Sequence, residues 1–204
     1  MSVFAGLKKH AVIAAAVAIW VPAVAFGINV LLNYAITPGH PATPPPVWPV
    51  TRLVEPPKHR STLVMFAHPR CPCSRASIGE LAIIMAHAQG RLDAAVFIYL
   101  PAEEASSWAR TDLWRSASAI PGVRVLEDRG ASVAQSFGVF TSGQTLLYDS
   151  RGYLRFNGGI TAFRGHSGDN AGRSAIAALV RNEIPPQHAL PVVTPVHGCS
   201  LRSE

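Results

Sequence analysis

The strongest constraint on this chain is an uncharged stretch near its N-terminus. Residues 11–32 contain no Asp, Glu, Lys or Arg, and their apolar run is interrupted only by Pro22, Gly27 and Asn29. As a helix, such a stretch is long enough to cross a hydrocarbon layer about 30 Å thick. We therefore expect a transmembrane helix over residues 11–35.

The basic residues that flank this stretch predict its orientation. Lys8 and Lys9 precede it, and the next basic residue is Arg52. The positive-inside bias then places residues 1–10 in the cytoplasm and the rest of the chain in the periplasm, as a single-pass protein of a bacterial inner membrane. The alternative is a cleaved signal peptide, because Ala23-Val24-Ala25 has the small-x-small pattern of a cleavage site. Apolar sequence continues past that pattern, which favours a retained anchor.

Composition narrows the class of the remaining chain. The 204 residues are 49% hydrophobic and 15% charged, which is sufficient for one folded domain with a buried core. Three cysteines exclude a disulfide framework and a four-cysteine zinc site made by one chain. The net charge of +6 is divided equally between residues 1–58 and the rest, with no basic run, so we expect no nucleic-acid partner.

A proline-rich segment separates the apolar stretch from the domain. Eight of the seventeen prolines lie between Pro38 and Pro57, which predicts an extended linker over residues 36–60. We expect a stiff spacer. The alternative is a coil packed over the domain through Trp48 and Val50.

Residues 61–184 alternate strand and helix patterns. Two short apolar runs, 63–67 and 96–100, predict buried strands, and a helix between them ends near Gly90. A hairpin, with strands 145–148 and 153–156, and a last helix over 170–181 predict an α/β domain with a central mixed sheet flanked by helices. The remaining predicted elements are a helix near 112–119, a strand over 123–126 and a helix over 131–137. Residues 185–204 are expected to form an irregular tail, because Pro185-Pro186 stops the last helix.

The chemistry is concentrated in the sequence His68-Pro-Arg-Cys-Pro-Cys-Ser74, between the first strand and the first long helix. Cys71 and Cys73 are close enough to form a disulfide. A helix N-terminus, together with nearby basic side chains, favours a thiolate. The exposed turn favours Cys71 as the nucleophile and Cys73 as the resolving thiol, although position alone does not settle which sulfur attacks.

Several segments in order resemble a known family. A buried strand that ends in two cysteines at a helix start is followed by Val125–Gly130, Phe137-Gly138-Val139 and Gln144–Gly152. This arrangement resembles the thioredoxin fold over residues 62–181 and, more narrowly, the TlpA-like and RedB-like membrane-anchored thiol-disulfide oxidoreductases. The resemblance implies a periplasmic oxidoreductase that acts on protein thiols or disulfides and needs no cofactor.

The sequence departs from that family at two places. Its cysteines are one residue apart instead of two, so a one-residue deletion is needed to place Cys71 at the family's nucleophile. Gly143 stands where the family has a cis-proline. The resemblance implies that Ser142 and Gly143 lie opposite the cysteines. It also places the loop with Arg164, His166 and Asp169 beside them, so we expect these five residues to contact substrate; helix capping by Asp169 or Asn170 is the alternative for that end of the loop.

Cys199 is the odd thiol. The seventeen residues after the last helix can reach the active cysteines, so Cys199 is a possible third thiol that resolves a Cys71 disulfide, binds a shared metal or pairs between chains. A Cu(I)-binding metallochaperone is the main alternative function, with Cys71, Cys73, Cys199 and His68 as ligands and copper as the metal. Peroxide reduction is less favoured, because the Thr expected three residues before a peroxidatic cysteine is absent. A scaffold with structural cysteines is the remaining alternative.

Overall fold

The computed structural model describes residues 2–50, 55–181 and 190–202, with residues 2–9 as backbone alone. It divides into two units, residues 1–37 and 38–204. Helix α1, Ser2–Ile36, makes up the first unit. Its part from His10 to Ile36 has a mean hydropathy of 2.4 and is long and apolar enough to cross a membrane.

The second unit is built on a six-stranded mixed sheet. The strands are β1 (Ser61–Ala67), β2 (Leu92–Leu100), β3 (Val123–Arg129), β4 (Thr145–Tyr148), β5 (Leu154–Gly158) and β6 (Val192–Val193). The helices are α2 (Pro72–Ala88), α3 (Asp112–Ser118), α4 (Ser132–Ser136) and α5 (Ala171–Arg181), with a 3-10 turn at Ser106–Trp108. The sheet order is β3-β2-β1-β4-β5-β6. Strands β1, β2 and β3 are parallel, β4 is antiparallel to both β1 and β5, and β6 is parallel to β5. The predicted mixed sheet flanked by helices is confirmed.

Both faces of the sheet are buried, and strand β1 shows why. Its side chains alternate between two cores. Leu63 and Met65 pack with the cluster that includes α2 and α5, whereas Val64 and Phe66 pack with an aromatic cluster that includes Phe137. A strand that is buried on both faces has apolar side chains throughout, so its sequence is a continuous apolar run. For this reason β1 could be predicted from the sequence.

The β4–β5 hairpin is held by a buried ion pair at its turn. Asp149 accepts hydrogen bonds from the backbone N–H groups of Arg151 and Tyr153. The guanidinium of Arg155 donates twice to the same carboxylate, at 2.9 and 2.8 Å. Both side chains are about 3% exposed, so each buried charge has its partner.

The proline-rich segment does not form the free spacer that we expected. Residues 38–50, here called the N-terminal strap, pack on the domain. The carbonyl oxygens of Pro45 and Pro46 accept from the Tyr148 hydroxyl and the Leu154 N–H, and the Trp48 N–H donates to Gly152 O. Prolines lack an N–H but retain the carbonyl acceptor, so a proline-rich strap can still pair along an edge. The alternative of a packed coil holds for Trp48, which is 8% exposed, but not for Val50, which is fully exposed. Residues 51–54 lie outside the described part.

The C-terminal residues 190–202, here called the C-terminal segment, contribute strand β6 to the sheet. An irregular tail was the expectation for residues 185–204. A sequence pattern cannot show this pairing, because a two-residue strand has too little periodicity to read. The predicted end of the domain at residue 184 lies outside the described residues, as does Pro185-Pro186.

Candidate active site

The cysteine motif lies at the junction of β1 and α2. Cys71 is the N-cap residue of α2, with extended backbone angles, and Pro72 occupies the first helical position. Proline suits that position because its missing N–H would have no partner in the helix. The Cys71 N–H donates to His68 O, which closes the turn. The fold therefore places the Cys71 sulfur at the positive end of a helix of 17 residues.

Three sulfurs meet at this junction. The Sγ atoms of Cys71, Cys73 and Cys199 all lie within 4.8 Å of one another, and a hydrogen bond of 2.8 Å links those of Cys71 and Cys199. All three are free thiols. Cys71 and Cys73 are each 6% exposed, and Cys199 is half-buried. The structure thus brings the third thiol to the pair, over 128 residues of sequence.

Backbone pairing delivers Cys199 to this position. The Ser142 N–H donates to Cys199 O at 2.8 Å, and the Leu201 N–H donates to Phe140 O at 2.9 Å. Thr141 and Ser200 form an antiparallel bridge between these two hydrogen bonds. Residues 198–201 therefore lie along the loop of residues 140–142 as a short additional strand.

Gly198 makes this close approach possible. A Cβ atom on Gly198 would lie 1.8 Å from the Ser142 carbonyl oxygen, far inside any permitted contact. The guanidinium of Arg164 donates to the Gly198 carbonyl at 2.5 Å. The absence of a side chain at Gly198 and the hydrogen bond from Arg164 thus fix the backbone just before Cys199.

The site favours a thiolate at Cys71. Burial alone would raise the pKa of Cys71, but several hydrogen bonds outweigh it and lower that pKa below its ordinary value. Among the hydrogen bonds that lower this pKa, the largest contribution comes from the Cys199 thiol, followed by the backbone N–H groups of Cys199, Cys73 and Ser74. Hydrogen bonds to the charged form stabilise it.

The other two thiols keep their protons. Burial raises the pKa of Cys73, and the negative charge of Cys71 adds to that effect. Burial and the hydrogen bond to Cys71 raise the pKa of Cys199 to about 12. The positive charge of Arg164 opposes both increases. The site therefore favours the thiolate at Cys71 and the protonated form at Cys73 and Cys199.

The loop opposite the cysteines is tied to both β1 and α2. Ser142 Oγ accepts from the His68 N–H at 2.8 Å and shares a 2.6 Å hydrogen bond with Ser74 Oγ. Gly143 has φ of +89°, and its N–H donates to Phe66 O. A side chain there would be strained by the backbone alone. Ser142 and Gly143 thus lie next to the start of α2, where the resemblance placed them.

Only one of the three residues expected from the 158–170 loop reaches the sulfurs. Arg164 acts on Cys73 and Cys199, as described above. His166 is exposed and packs edge-on against Phe163, with ring centroids 5.7 Å apart. Asp169 is on the surface and pairs with Arg173. The helix cap of α5 is Asn170, whose Oδ1 accepts from the Arg173 N–H at 2.7 Å.

His68 faces away from the sulfur cluster. Its ring stacks on Tyr99 and meets Trp108 edge-on, with centroids 5.6 Å apart in each pair, and its Nδ1 accepts from the Arg70 N–H. Burial and the nearby Arg70 charge lower the pKa of His68. Within the described residues, the group of close metal-ligand atoms consists of the three sulfurs and does not include His68.

Sequence reasoning missed Glu80, which organises the loop that carries Arg164. The carboxylate is 1% exposed and accepts from the Gly168 N–H, the Asn170 side chain and the Arg173 guanidinium. The available signal was a lone carboxylate among the apolar residues of α2. A buried carboxylate must be paired, so its position predicts a partner but does not identify one.

Comparison with known proteins gives matches in structure alone. No protein-family model and no curated protein matches the chain. An uncharacterized conserved protein from Geobacillus kaustophilus has a TM-score of 0.56 at 16% identity, with 83% of this chain and 93% of that chain covered. A hypothetical protein from Sinorhizobium meliloti has a TM-score of 0.54 at 22% identity, with 82% and 94% covered. A putative thioredoxin from Neisseria meningitidis has a TM-score of 0.47 at 14% identity, with 71% and 93% covered.

These likenesses concern the fold. Its distinguishing parts here are the parallel strands β1 and β2, the helix α2 that starts at the cysteines, and the antiparallel pair β4–β5 followed by α5. The chain is a thioredoxin-fold protein that also has an N-terminal helix long and apolar enough to span a membrane.

Proposed function

We propose that the folded domain carries out thiol–disulfide exchange, with Cys71 as the nucleophile. The observation that supports this most is the Cys71 sulfur at the start of α2, with a lowered pKa and two further thiols within 4.8 Å. A thiolate is the attacking form in exchange, and a second nearby thiol releases the partner from the mixed disulfide.

The reaction transfers two electrons. The Cys71 thiolate attacks one sulfur of a partner protein's disulfide, forming a mixed disulfide and releasing the other partner sulfur as a thiolate, which takes up a proton. A second thiol of this chain, for which the sequence predicts Cys73, then loses its proton and attacks Cys71 Sγ. The partner leaves as a dithiol, and this chain holds the new disulfide. The reverse sequence oxidises a partner dithiol.

The proposal includes a location. Lys8 and Lys9 precede the apolar helix, so the positive-inside bias places the domain in the periplasm, anchored to the inner membrane. Disulfides persist in that compartment, and its protein thiols and disulfides are the proposed partners.

The test is a glutathione redox titration of the full-length protein in detergent, with the thiol states determined by mass spectrometry. We expect a reversible two-electron disulfide, together with catalysis of insulin reduction by dithiothreitol. Cys71→Ser should lose both, and Ser136→Ala, at an exposed position of α4, should lose neither. Catalysis that persists in Cys71→Ser would disprove the assignment, provided that both variants unfold at the wild-type denaturant concentration.

A second candidate function is Cu(I) binding, and the three clustered sulfurs favour it. Thiolates are the soft ligands that Cu(I) prefers. We expect about one Cu(I) per chain, with binding weakened by substitution of any of the three cysteines. His68→Ala should leave the affinity unchanged, because that ring lies in the aromatic stack. Exchange needs Cys71 and one other thiol, so the pattern among single cysteine variants separates the two functions.

A further inference from the structure

The C-terminal segment covers the sulfur that is proposed to react. Cys71 is 6% exposed, and its Sγ contacts Cys199 Sγ. A sulfur from another molecule must approach Cys71 closely in order to attack or be attacked. In the position described, Cys199 already occupies that approach.

The contacts that hold Cys199 there are of a kind that any extended peptide can make. The Ser142 N–H donates to Cys199 O, and the Leu201 N–H donates to Phe140 O. All four are backbone groups. Pairing of an extended peptide through main-chain groups depends on the backbone and only secondarily on side chains. A partner segment in an extended conformation can therefore replace residues 198–201 at this loop.

We propose that Cys199 is a third redox thiol that forms a disulfide with Cys71, and that residues 198–201 are an internal competitor which a partner displaces. This proposal rests on the proposed function. It differs from the Cys71–Cys73 pair predicted from sequence, because the two disulfides share Cys71 and cannot exist together. Leu201 is 2% exposed, so the covered state is favoured until a partner is present.

The step balances without a further reagent. A thiolate of a partner dithiol attacks Cys71 Sγ of the Cys71–Cys199 disulfide and expels Cys199 as a thiolate, which takes a proton. The partner is then joined to Cys71. Its second thiol loses a proton and attacks the partner's own sulfur, and Cys71 leaves as the thiolate. The partner has been oxidised to a disulfide, and Cys71 and Cys199 have been reduced to thiols.

Expulsion of Cys199 also moves the segment. The lowered pKa of Cys71 depends on the Cys199 thiol as hydrogen-bond donor, and a Cys71 that is joined to a partner has no thiolate to accept it. The mixed disulfide therefore loses one of the contacts that hold residues 198–201 in place, at the moment when the partner needs that loop.

Disulfide mapping tests the pairing. The full-length protein in detergent is equilibrated with glutathione buffers, alkylated and digested without reduction. We expect a Cys71–Cys199 linkage in the wild type and in Cys73→Ser, and none in Cys199→Ser. A Cys71–Cys73 linkage as the only one in the wild type, with no disulfide in Cys73→Ser, would overturn the proposal while leaving thiol–disulfide exchange intact. Failure of the proposed function is distinct, because the wild type would then not catalyse insulin reduction, or Cys71→Ser would catalyse it as well.

Hydrogen exchange tests the displacement. In the double variant Cys73→Ser, Cys199→Ser, glutathione is trapped on Cys71 as a stable mixed disulfide and compared with the oxidised wild type. The Ser142 and Leu201 amides should exchange roughly 30-fold faster in the trapped form, as expected for the loss of two backbone hydrogen bonds. The Gly143 amide is the internal control, because it donates to Phe66 O of β1 and not to the C-terminal segment, so its exchange should not change. Equal protection of Ser142 and Leu201 in both forms would show that the segment stays in place, against the proposal.

Discussion

The N-terminal strap and the C-terminal segment both pair with the domain through backbone groups but differ in what holds them. Both contain proline and form backbone hydrogen bonds to the domain, and they touch where the Gly39 N–H donates to Val196 O. The strap inserts Trp48 edge-on against Phe137 and Tyr148, with centroids 5.2 and 5.1 Å away.

The C-terminal segment carries a smaller apolar anchor, Leu201, and the thiol of Cys199, which is hydrogen-bonded to the Cys71 sulfur. The difference teaches that two segments paired through backbone groups can be held on the same domain by different side-chain interactions. A buried indole holds the strap independently of redox state. The position of the C-terminal segment depends on whether Cys71 is a thiolate, a disulfide with Cys199 or a mixed disulfide.

The largest expected effect is on the strap. Trp48→Ala removes an 8% exposed indole from the aromatic cluster and should lower the free energy of unfolding by about 3–5 kcal/mol. Urea unfolding of the full-length protein in detergent measures this. Disulfide mapping should give the same cysteine linkage as in the wild type, because the strap carries none of the site's groups.

Two control variants sharpen the result for Trp48. The indole Nε1 is buried and has no hydrogen-bond partner among the described residues, so Trp48→Phe keeps the aromatic packing and loses no hydrogen bond. Its cost should be well below that of Trp48→Ala. Val50→Ala, at a fully exposed position, should change stability by less than about 0.5 kcal/mol. Equal losses in Trp48→Ala and Val50→Ala would show that the strap is not part of the core.

The contrast between the two segments also shows how far sequence reasoning reached. The strands β1 and β2 were predictable because strands buried on both faces are apolar throughout. The β4–β5 hairpin was predictable because Asp149 and Gly152 are turn residues. Pairing of the strap and of the C-terminal segment was not, because it uses backbone carbonyl and N–H groups, which leave no pattern in the sequence of side chains.

The site was predictable only where side-chain types in the sequence indicate it. The start of α2 at Cys71 could be read from the motif, and the thioredoxin fold follows from segments matched in order. That Cys199 rests on Cys71 depends on Gly198 and on pairing with Phe140 and Ser142, which no side-chain pattern encodes. Arg164 reaches the sulfurs but His166 does not, because loop geometry and not composition sets which side chain points inward.

A smaller effect is expected from Gly198→Ala, which acts on the C-terminal segment alone. The added Cβ would lie 1.8 Å from Ser142 O, so residues 198–201 cannot keep their pairing. Loss of two backbone hydrogen bonds costs about 2 kcal/mol, which raises the uncovered population roughly 30-fold. We expect iodoacetamide to alkylate Cys71 faster by a factor of that order.

Gly79→Ala is the matched control for that substitution, because a Cβ at Gly79 meets nothing within 4 Å. Its rate of Cys71 alkylation should equal that of the wild type. If Gly198→Ala and Gly79→Ala react at the same rate, then Cys71 is not covered by the segment and the contrast with the strap fails.

The smallest effect concerns the charge beside the two protonated thiols. The positive charge of Arg164 opposes the raised pKa of Cys73 and Cys199, so Arg164→Gln should raise both further. At pH 8 a higher pKa means less thiolate, and the rate at which Cys73 is alkylated in a Cys71→Ser background should fall roughly two- to fivefold. Raising the pH toward the pKa should recover the rate, because the defect is in the thiolate fraction. Arg164→Lys keeps the charge, so its rate of Cys73 alkylation should stay close to that of the Cys71→Ser parent. If Arg164→Gln and Arg164→Lys instead lose rate equally and at every pH, then Arg164 acts by holding Gly198 in place.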